Sequence, residues 1–306
     1  MKSKEIYYWT CDKSPNSGEG NLAIYFIKNF NKNLKFREIK KKNFSYITLS
    51  KILNYKYILP FVGIFYCWKY YLNDKKICYI NYLPFWNFLI FLLLPPNSNI
   101  GPITGGAKFH KKTNLIRRVL FPIFYKISEF IVNFRNFDLI FSTDLLKKYL
   151  SQKTIKKSLF NFIIYIFKNK KRNKKKLKKN LDFLIYYRNH PNKKKFFLFK
   201  LINKLLLEDF KIYVVGDKLN IKNVKNFGFV SNRKLLHLQK KAKFTIFSEE
   251  NLYSIFTLEC IFSNVLILVK KSNQNKIKYF KKDFLKIDFD NTNQLRKLKN
   301  IYKYKT

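Results

Sequence analysis

The sequence predicts an α/β protein made of two open domains, each a parallel sheet covered by helices. Three observations lead there. Apolar runs alternate between strand length and helix length along most of the 306 residues. One stretch with no apolar face to bury, "KNKKRNKKKLKKN" at Lys168–Asn180, interrupts the alternation. The strand–helix rhythm then restarts and continues to the last helix-like segment.

The elements follow in order. "EIYYWTC", Glu5–Cys11, reads as a buried strand, "SPNSGEG" as a loop, and "NLAIYFIKNF", Asn21–Phe30, as the start of a helix. "KICYINYL" is a strand leading into the apolar run "YLPFWNFLIFLLLPP", Tyr82–Pro96. That run is shorter than the ~20 residues a membrane-spanning helix needs, and Pro84 and Asn87 interrupt it, so a buried helix is expected. "SNIGPITGG" is a strand ending in a glycine loop, and "IRRVLFPIFYKISEFIVNF" is an amphipathic helix with Pro122 as a kink point. "FDLIFST" is a short strand, and "LFNFIIYIF", Leu159–Phe167, is also read as a strand.

In the second half, "LDFLIYYR", "KIYVVGD", "VKNFGFVS", "KFTIFS", "VLILV" and "FLKIDFD" read as strands. "KKFFLFKLINKLLLEDF", "RKLLHLQKKA", "SIFTLECIFSN" and "NQLRKLKNIY" read as the helices between and after them. The expected division is a first domain at 1–155, a basic link at 156–180 and a second domain at 181–306. Two such domains facing each other make a cleft, and ligands of these sheets bind beyond the carboxyl ends of the strands.

Composition narrows the function. A hydrophobic content of 47% is too high for a disordered chain. The formal charge of +45 is almost all lysine, since only eight of the 63 basic residues are arginine. Lysine is abundant here together with Phe, Tyr, Ile and Asn, all residues of AT-rich codons, so base bias is the main source of the charge. An evolved polyanion site would favour the planar fork of arginine, and no nucleic-acid partner is expected. The charge still draws the chain to anionic membrane surfaces. The four cysteines show no CxxC spacing, and the first twenty residues lack an apolar signal core. Reduced thiols, a cytoplasmic location and peripheral association with the inner face of the cell membrane are expected. No zinc spacing, P-loop or complete dinucleotide fingerprint is present, and "DFD", Asp288–Asp290, reads as a strand end. Neither a metal nor a cofactor is expected.

The second half carries an ordered set of motifs. "YYRNHPNKKK" places Arg188 and Lys193 after a strand. "YVVGD" and "VKNFGFVSNRKLLHLQKKA" follow, and then "SEENLYSIFTLEC", Ser248–Cys260, three acids in a chain with few. Over roughly Leu181–Leu298 this set resembles the nucleotide-binding domain of GT-B-fold glycosyltransferases, in particular the retaining family 4. In the first half, "NSGEGN" resembles the family's glycine loop through Gly18 and Gly20. "IGPITGG" resembles its G-P-x-G-G-G signature through Gly105 and Gly106. Tyr187 stands where the family has a glycine before the arginine.

The resemblance implies two Rossmann-like domains facing across a cleft. It also implies metal-independent transfer of a hexose-like unit from a nucleotide sugar, with retention of configuration, to a glycan or lipid-linked acceptor in cell-surface polysaccharide assembly. Arg188 and Lys193 would answer the charge growing on the leaving diphosphate. Backbone N–H groups around Tyr253, Ser254 and Ile255, at a helix N-terminus, would hold phosphate. Glu259 would accept hydrogen bonds from the ribose. The family's two glutamates are eight residues apart. Asn251 lies eight before Glu259 and Glu250 nine before, so either faces the donor sugar. A non-catalytic relative that binds glycan or a partner, and a basic nucleic-acid-binding protein, are the alternatives.

Overall fold

The computed structural model describes residues 5–15, 17–30, 35–39, 55–80, 83–104, 115–170, 172, 178–189, 198–247 and 251–301. The chain divides into two compact units, Met1–Asn169 and Lys170–Thr306.

The strands of the first unit are β1 (Ile6–Thr10), β2 (Phe36–Glu38), β3 (Lys76–Ile80), β4 (Leu83–Pro84), β5 (Asn99–Thr104), β6 (Asp138–Phe141) and β7 (Ser158–Leu159). They pair in parallel in the order β2-β1-β3-β5-β6-β7, with β4 added on β5. Its helices are α1 (Gly18–Phe30), α2 (Tyr55–Tyr71), α3 (Phe88–Leu93), α4 (Leu115–Phe134), α5 (Gln152–Lys157) and α6 (Phe162–Lys168). The chain steps from β1 to β2 in one direction and back to β3 in the other. Right-handed crossovers therefore place α1 on one face and α2, α3 and α4 on the opposite one. The latter three share a core with Trp9, Phe85, Phe91, Tyr125 and Phe141. α1 meets α6 through Phe26 and Phe162, ring centroids 4.9 Å apart. Covered on both faces, the strands read as near-continuous apolar runs.

The second unit contains β8 (Leu181–Tyr187), β9 (Ile212–Gly216), β10 (Val224–Asn226), β11 (Ala242–Ile246), β12 (Leu266–Lys270) and β13 (Phe284–Ile287). All pairs are parallel, in the order β10-β9-β8-β11-β12-β13. Numbered from β8, that is 3-2-1-4-5-6, the doubly wound order whose direction reverses between β8 and β11. Phe183, Ile202, Val214, Phe244, Leu268 and Leu295 hold its core together.

Three expectations change. Leu159–Phe167 is not a strand: β7 stops at Leu159, Asn161 turns left-handed at φ 58°, and α6 follows. Five of the seven α6 residues are buried, and a run that is apolar all round looks alike as buried helix and buried strand. Residues 156–168, expected in the link, accordingly fold with the first unit, where β7 extends the sheet beside β6. The third concerns Tyr82–Pro96. Its helix has only six residues, Phe88–Leu93, and while Ile90 and Phe91 are buried, Leu89, Leu92 and Leu93 face outward. Among the described residues no helix is long and apolar enough to cross a membrane.

Candidate functional site

The reversal between β8 and β11 brings the second unit's motifs together. Tyr187 pairs with Gly216 at the ends of β8 and β9, so the residues just beyond them, Arg188 and Asp217, lie side by side. Arg188 Nε is 3.8 Å from Asp217 Oδ2, and Arg188 Nη1 donates to the Tyr186 hydroxyl at 3.2 Å. Asp217 also accepts from the Asn189 N–H at 2.7 Å, and its own N–H donates to Tyr187 O. The turn depends on Gly216, at φ +102°, where a Cβ would collide with the Tyr187 carbonyl oxygen. Arg188 remains half exposed, its side chain at 50%.

The helix Ile255–Phe262 begins beyond β11. Ser254 caps it, its hydroxyl accepting from the Thr257 N–H at 3.1 Å. Ile255 and Phe256 occupy the first turn, where backbone N–H groups have no carbonyl one turn back to bond. Those groups and the helix dipole suit an anion. The Phe256 ring stacks on Tyr186, centroids 5.6 Å apart. Arg188 and this N-terminus are thereby tied together through one tyrosine.

Other expected residues are placed differently. The Tyr253 N–H is taken by Asn251 Oδ1 at 3.0 Å, so of the three N–H groups expected to hold phosphate, this one serves an Asx turn. The same bond occupies the Asn251 side-chain oxygen. The Tyr253 hydroxyl accepts from the Lys278 and Tyr279 N–H groups at 2.9 and 2.8 Å, anchoring the following loop. Glu259 is only 3% exposed and receives Gln239 Nε2 at 3.4 Å. Gln239 Oε1 beside it is buried without a hydrogen-bond partner among the described residues. Lys193 and Glu250 lie outside the described residues.

The first unit reverses direction at β1, and Gly18 and Gly20 follow that strand. Gly18 and Gly20 form the first turn of α1 instead of a loop. Asp12 Oδ1 accepts the Ser14 N–H at 2.6 Å, and Asp12 Oδ2 accepts the Ser17 hydroxyl. Ser17 Oγ in turn accepts the Gly20 N–H at 2.7 Å, which caps the helix. Gly20 is required, since a Cβ would sit 2.5 Å from the Ser14 nitrogen, whereas Gly18 faces open space. Thr10, Asp12, Glu19, Ile80 and Pro102 line a small recess beside this turn. Gly105 and Gly106 lie outside the described residues.

Sequence reasoning passed over Asp217, Gln239, Asp12 and Ser17. Asp217 could have been found at the end of "YVVGD", and Ser17 by its three-residue spacing to Gly20. Gln239 gave no signal, because only packing brings it to Glu259. Among the described residues no group of three His, Cys, Asp or Glu side chains could hold a metal ion. All four cysteines are free, and burial pushes the thiols of Cys67, Cys78 and Cys260 upward, leaving them protonated core residues.

No protein-family model matches this sequence, and no curated protein matches it. Solved structures do. One is the DNA modifying enzyme beta-glucosyltransferase, determined in the presence and absence of its substrate uridine diphosphoglucose. It is similar at a TM-score of 0.51 and 14% identity, over 98% of this chain and 91% of that one. Another is T4 phage BGT in complex with UDP and Mn2+, at a TM-score of 0.50 and 12% identity, over 98% and 90%. The chain has the GT-B fold. At these identities the likeness reaches the two Rossmann-like domains and their topology and stops there.

Proposed function

We propose that the protein transfers a sugar from a nucleotide-sugar donor to an acceptor hydroxyl. The observation that carries this reading is the convergence at the β8/β11 reversal. Arg188 and the N-terminus of the helix Ile255–Phe262 are joined there by the Tyr186–Phe256 stack. The two similar structures were determined with UDP or uridine diphosphoglucose, which supports a nucleotide-sugar donor for this reading. As the glycosidic bond breaks, the diphosphate takes the electron pair, the acceptor oxygen bonds to the sugar carbon, and the acceptor's proton passes to the leaving diphosphate. Arg188, with Lys193, answers the charge that grows on the leaving group, together with the Ser254 and Ile255 backbone. Glu259 keeps its place as the ribose acceptor, which requires its buried contact with Gln239 to open on binding. Glu250 or Asn251 faces the donor sugar, and the glycine turn at Gly18 and Gly20, with Gly105 and Gly106, serves the acceptor side.

The finer reading is retention of configuration without a resident metal, and a glycan or lipid-linked acceptor in cell-surface polysaccharide assembly. A thermal-shift screen of UDP-, GDP-, ADP- and dTDP-sugars tests the donor site. A matched donor at 100 times its Kd adds about 2.7 kcal/mol of stability. No response to any of them would remove the proposal, and stabilisation without nucleotide release would identify a non-catalytic relative. The alternative is that nucleic acid is the bound partner, drawn by the lysine charge. Tight duplex binding that falls steeply with salt, with no response to nucleotide sugars, would select it.

A further inference from the structure

The layer formed by α2, α3 and α4 leaves an apolar face open. Along α4, Leu115, Val119, Ile123, Phe130 and Phe134 recur at four- and seven-residue intervals and are exposed, Phe130 at 70% and Phe134 at 80%. That spacing sets them along one side of a helix about 30 Å long. The other side of α4 is already used, with Tyr125, Ile131 and Val132 in the core. Leu89 and Leu92 of α3 and Phe65 of α2 also point outward. α3 is held on α4 by Trp86 against Phe121, at 5.2 Å, and Phe88 against Phe124, at 5.5 Å. The Trp68 indole of α2 donates to Leu93 O at 2.7 Å. The outward side chains therefore belong to one packed layer. Scattered single exposures would need no explanation, but a contiguous face of this kind marks an interaction surface.

Charge identifies the occupant. α2 and α3 contain no Asp or Glu, and the one acid of α4, Glu129, is buried. Arg118 and Lys126 are exposed on α4, where Lys126 also lies 3.8 Å from Glu129, and Lys69 is exposed on α2. We propose that this face docks on an anionic lipid bilayer. α4 lies in the plane of the interface, its apolar side enters the acyl boundary, and Arg118 and Lys126 reach back to the headgroup phosphates. A second copy fits less well, because each chain carries +45 and like charges repel. A nucleic acid would match the charge but would set aliphatic side chains against phosphate. The inference stands independently of the sugar-transfer reading.

The full chain can be floated with phosphatidylcholine vesicles with and without phosphatidylglycerol. The unmodified protein is expected to float with the anionic vesicles. Phe130→Ser/Phe134→Ser is expected to lose at least about tenfold in partitioning. Leu207→Ser, an equally exposed leucine of the second unit, should float normally. Equal flotation of the double variant, or indifference of the unmodified protein to phosphatidylglycerol, overturns the proposal. Trp86, beside α4, supplies a measurement that needs no folded variant: acyl chains bearing bromine should quench its fluorescence, and no quenching overturns the proposal too. If the unmodified protein sediments as a dimer and the double variant as a monomer, a second copy covers the face and the bilayer reading is wrong.

Discussion

Arg188→Ala is the substitution that most directly tests the transfer chemistry. The guanidinium is half exposed, and its pair with Asp217 spans 3.8 Å at the surface. Pairs of that kind contribute about 0–1 kcal/mol, so the fold should lose no more than that. The effect on the reaction is larger. Two unit charges about 4 Å apart interact by roughly 1 kcal/mol in water and roughly 4 kcal/mol at an effective dielectric near 20. Closure of a ligand over the site moves Arg188 toward the second figure. Loss of a fixed donor at developing charge costs roughly 2.7–4 kcal/mol in comparable sites, or about 100- to 1000-fold. Because the charge grows as the bond breaks, kcat should fall by that factor while KM changes far less. The assay is nucleoside-diphosphate release with the donor found by thermal shift, with circular dichroism to confirm folding. A near-normal kcat would mean that the turn after β8 is ordinary basic surface and that the phosphate site lies elsewhere.

Glu259→Gln should retain the fold, since an amide oxygen can still accept from Gln239, and should raise KM for the donor with little change in kcat. Equal losses in kcat and kcat/KM would move Glu259 from ribose binding to the chemistry. Gly216→Ala forces a Cβ against the Tyr187 carbonyl at φ +102°, and should destabilise the second unit by roughly 2 kcal/mol or more, read by denaturant titration; an unchanged midpoint would mean the turn relaxes freely. Glu129 is pushed upward by burial, but the hydrogen bonds of Thr154 and Ser151, with Lys126, outweigh that and hold its carboxyl below the usual range. A depressed carboxyl contributes stability above its unfolded value of 4.5 and loses it as pH falls through the folded one. Glu129→Gln should therefore cost the first unit about 1–2 kcal/mol at neutral pH, with the gap closing below about pH 4.5. All three tryptophans lie in that unit, so their fluorescence reads it directly. A gap that persists in acid would assign the loss to packing instead of charge.

Periodicity and length were enough to read most elements from the chain, because a strand buried on both faces and a helix with one apolar side leave different repeats. β8, β9, β11 and β12 and the helices between them are legible in this way, as is the placing of Arg188 at a strand end. Leu159–Phe167 reads as a strand but folds mostly as a helix, because an all-apolar run has no period to distinguish the two, and only the left-handed Asn161 and the surrounding core decide it. Local sequence showed a glycine turn at Gly18 and Gly20. It did not show that Ser17 and Asp12 would close it into the first turn of a helix, since that depends on where β1 delivers the chain. The parallel order 3-2-1-4-5-6 is likewise a property of tertiary structure. It sets Arg188 beside Asp217 and, through Tyr186, beside a helix that begins more than sixty residues later. The same is true of Gln239 against Glu259 and of the apolar side of α4. Periodicity shows that α4 has an apolar side, and only the sheet beneath it decides which of its apolar residues are covered and which stay outside.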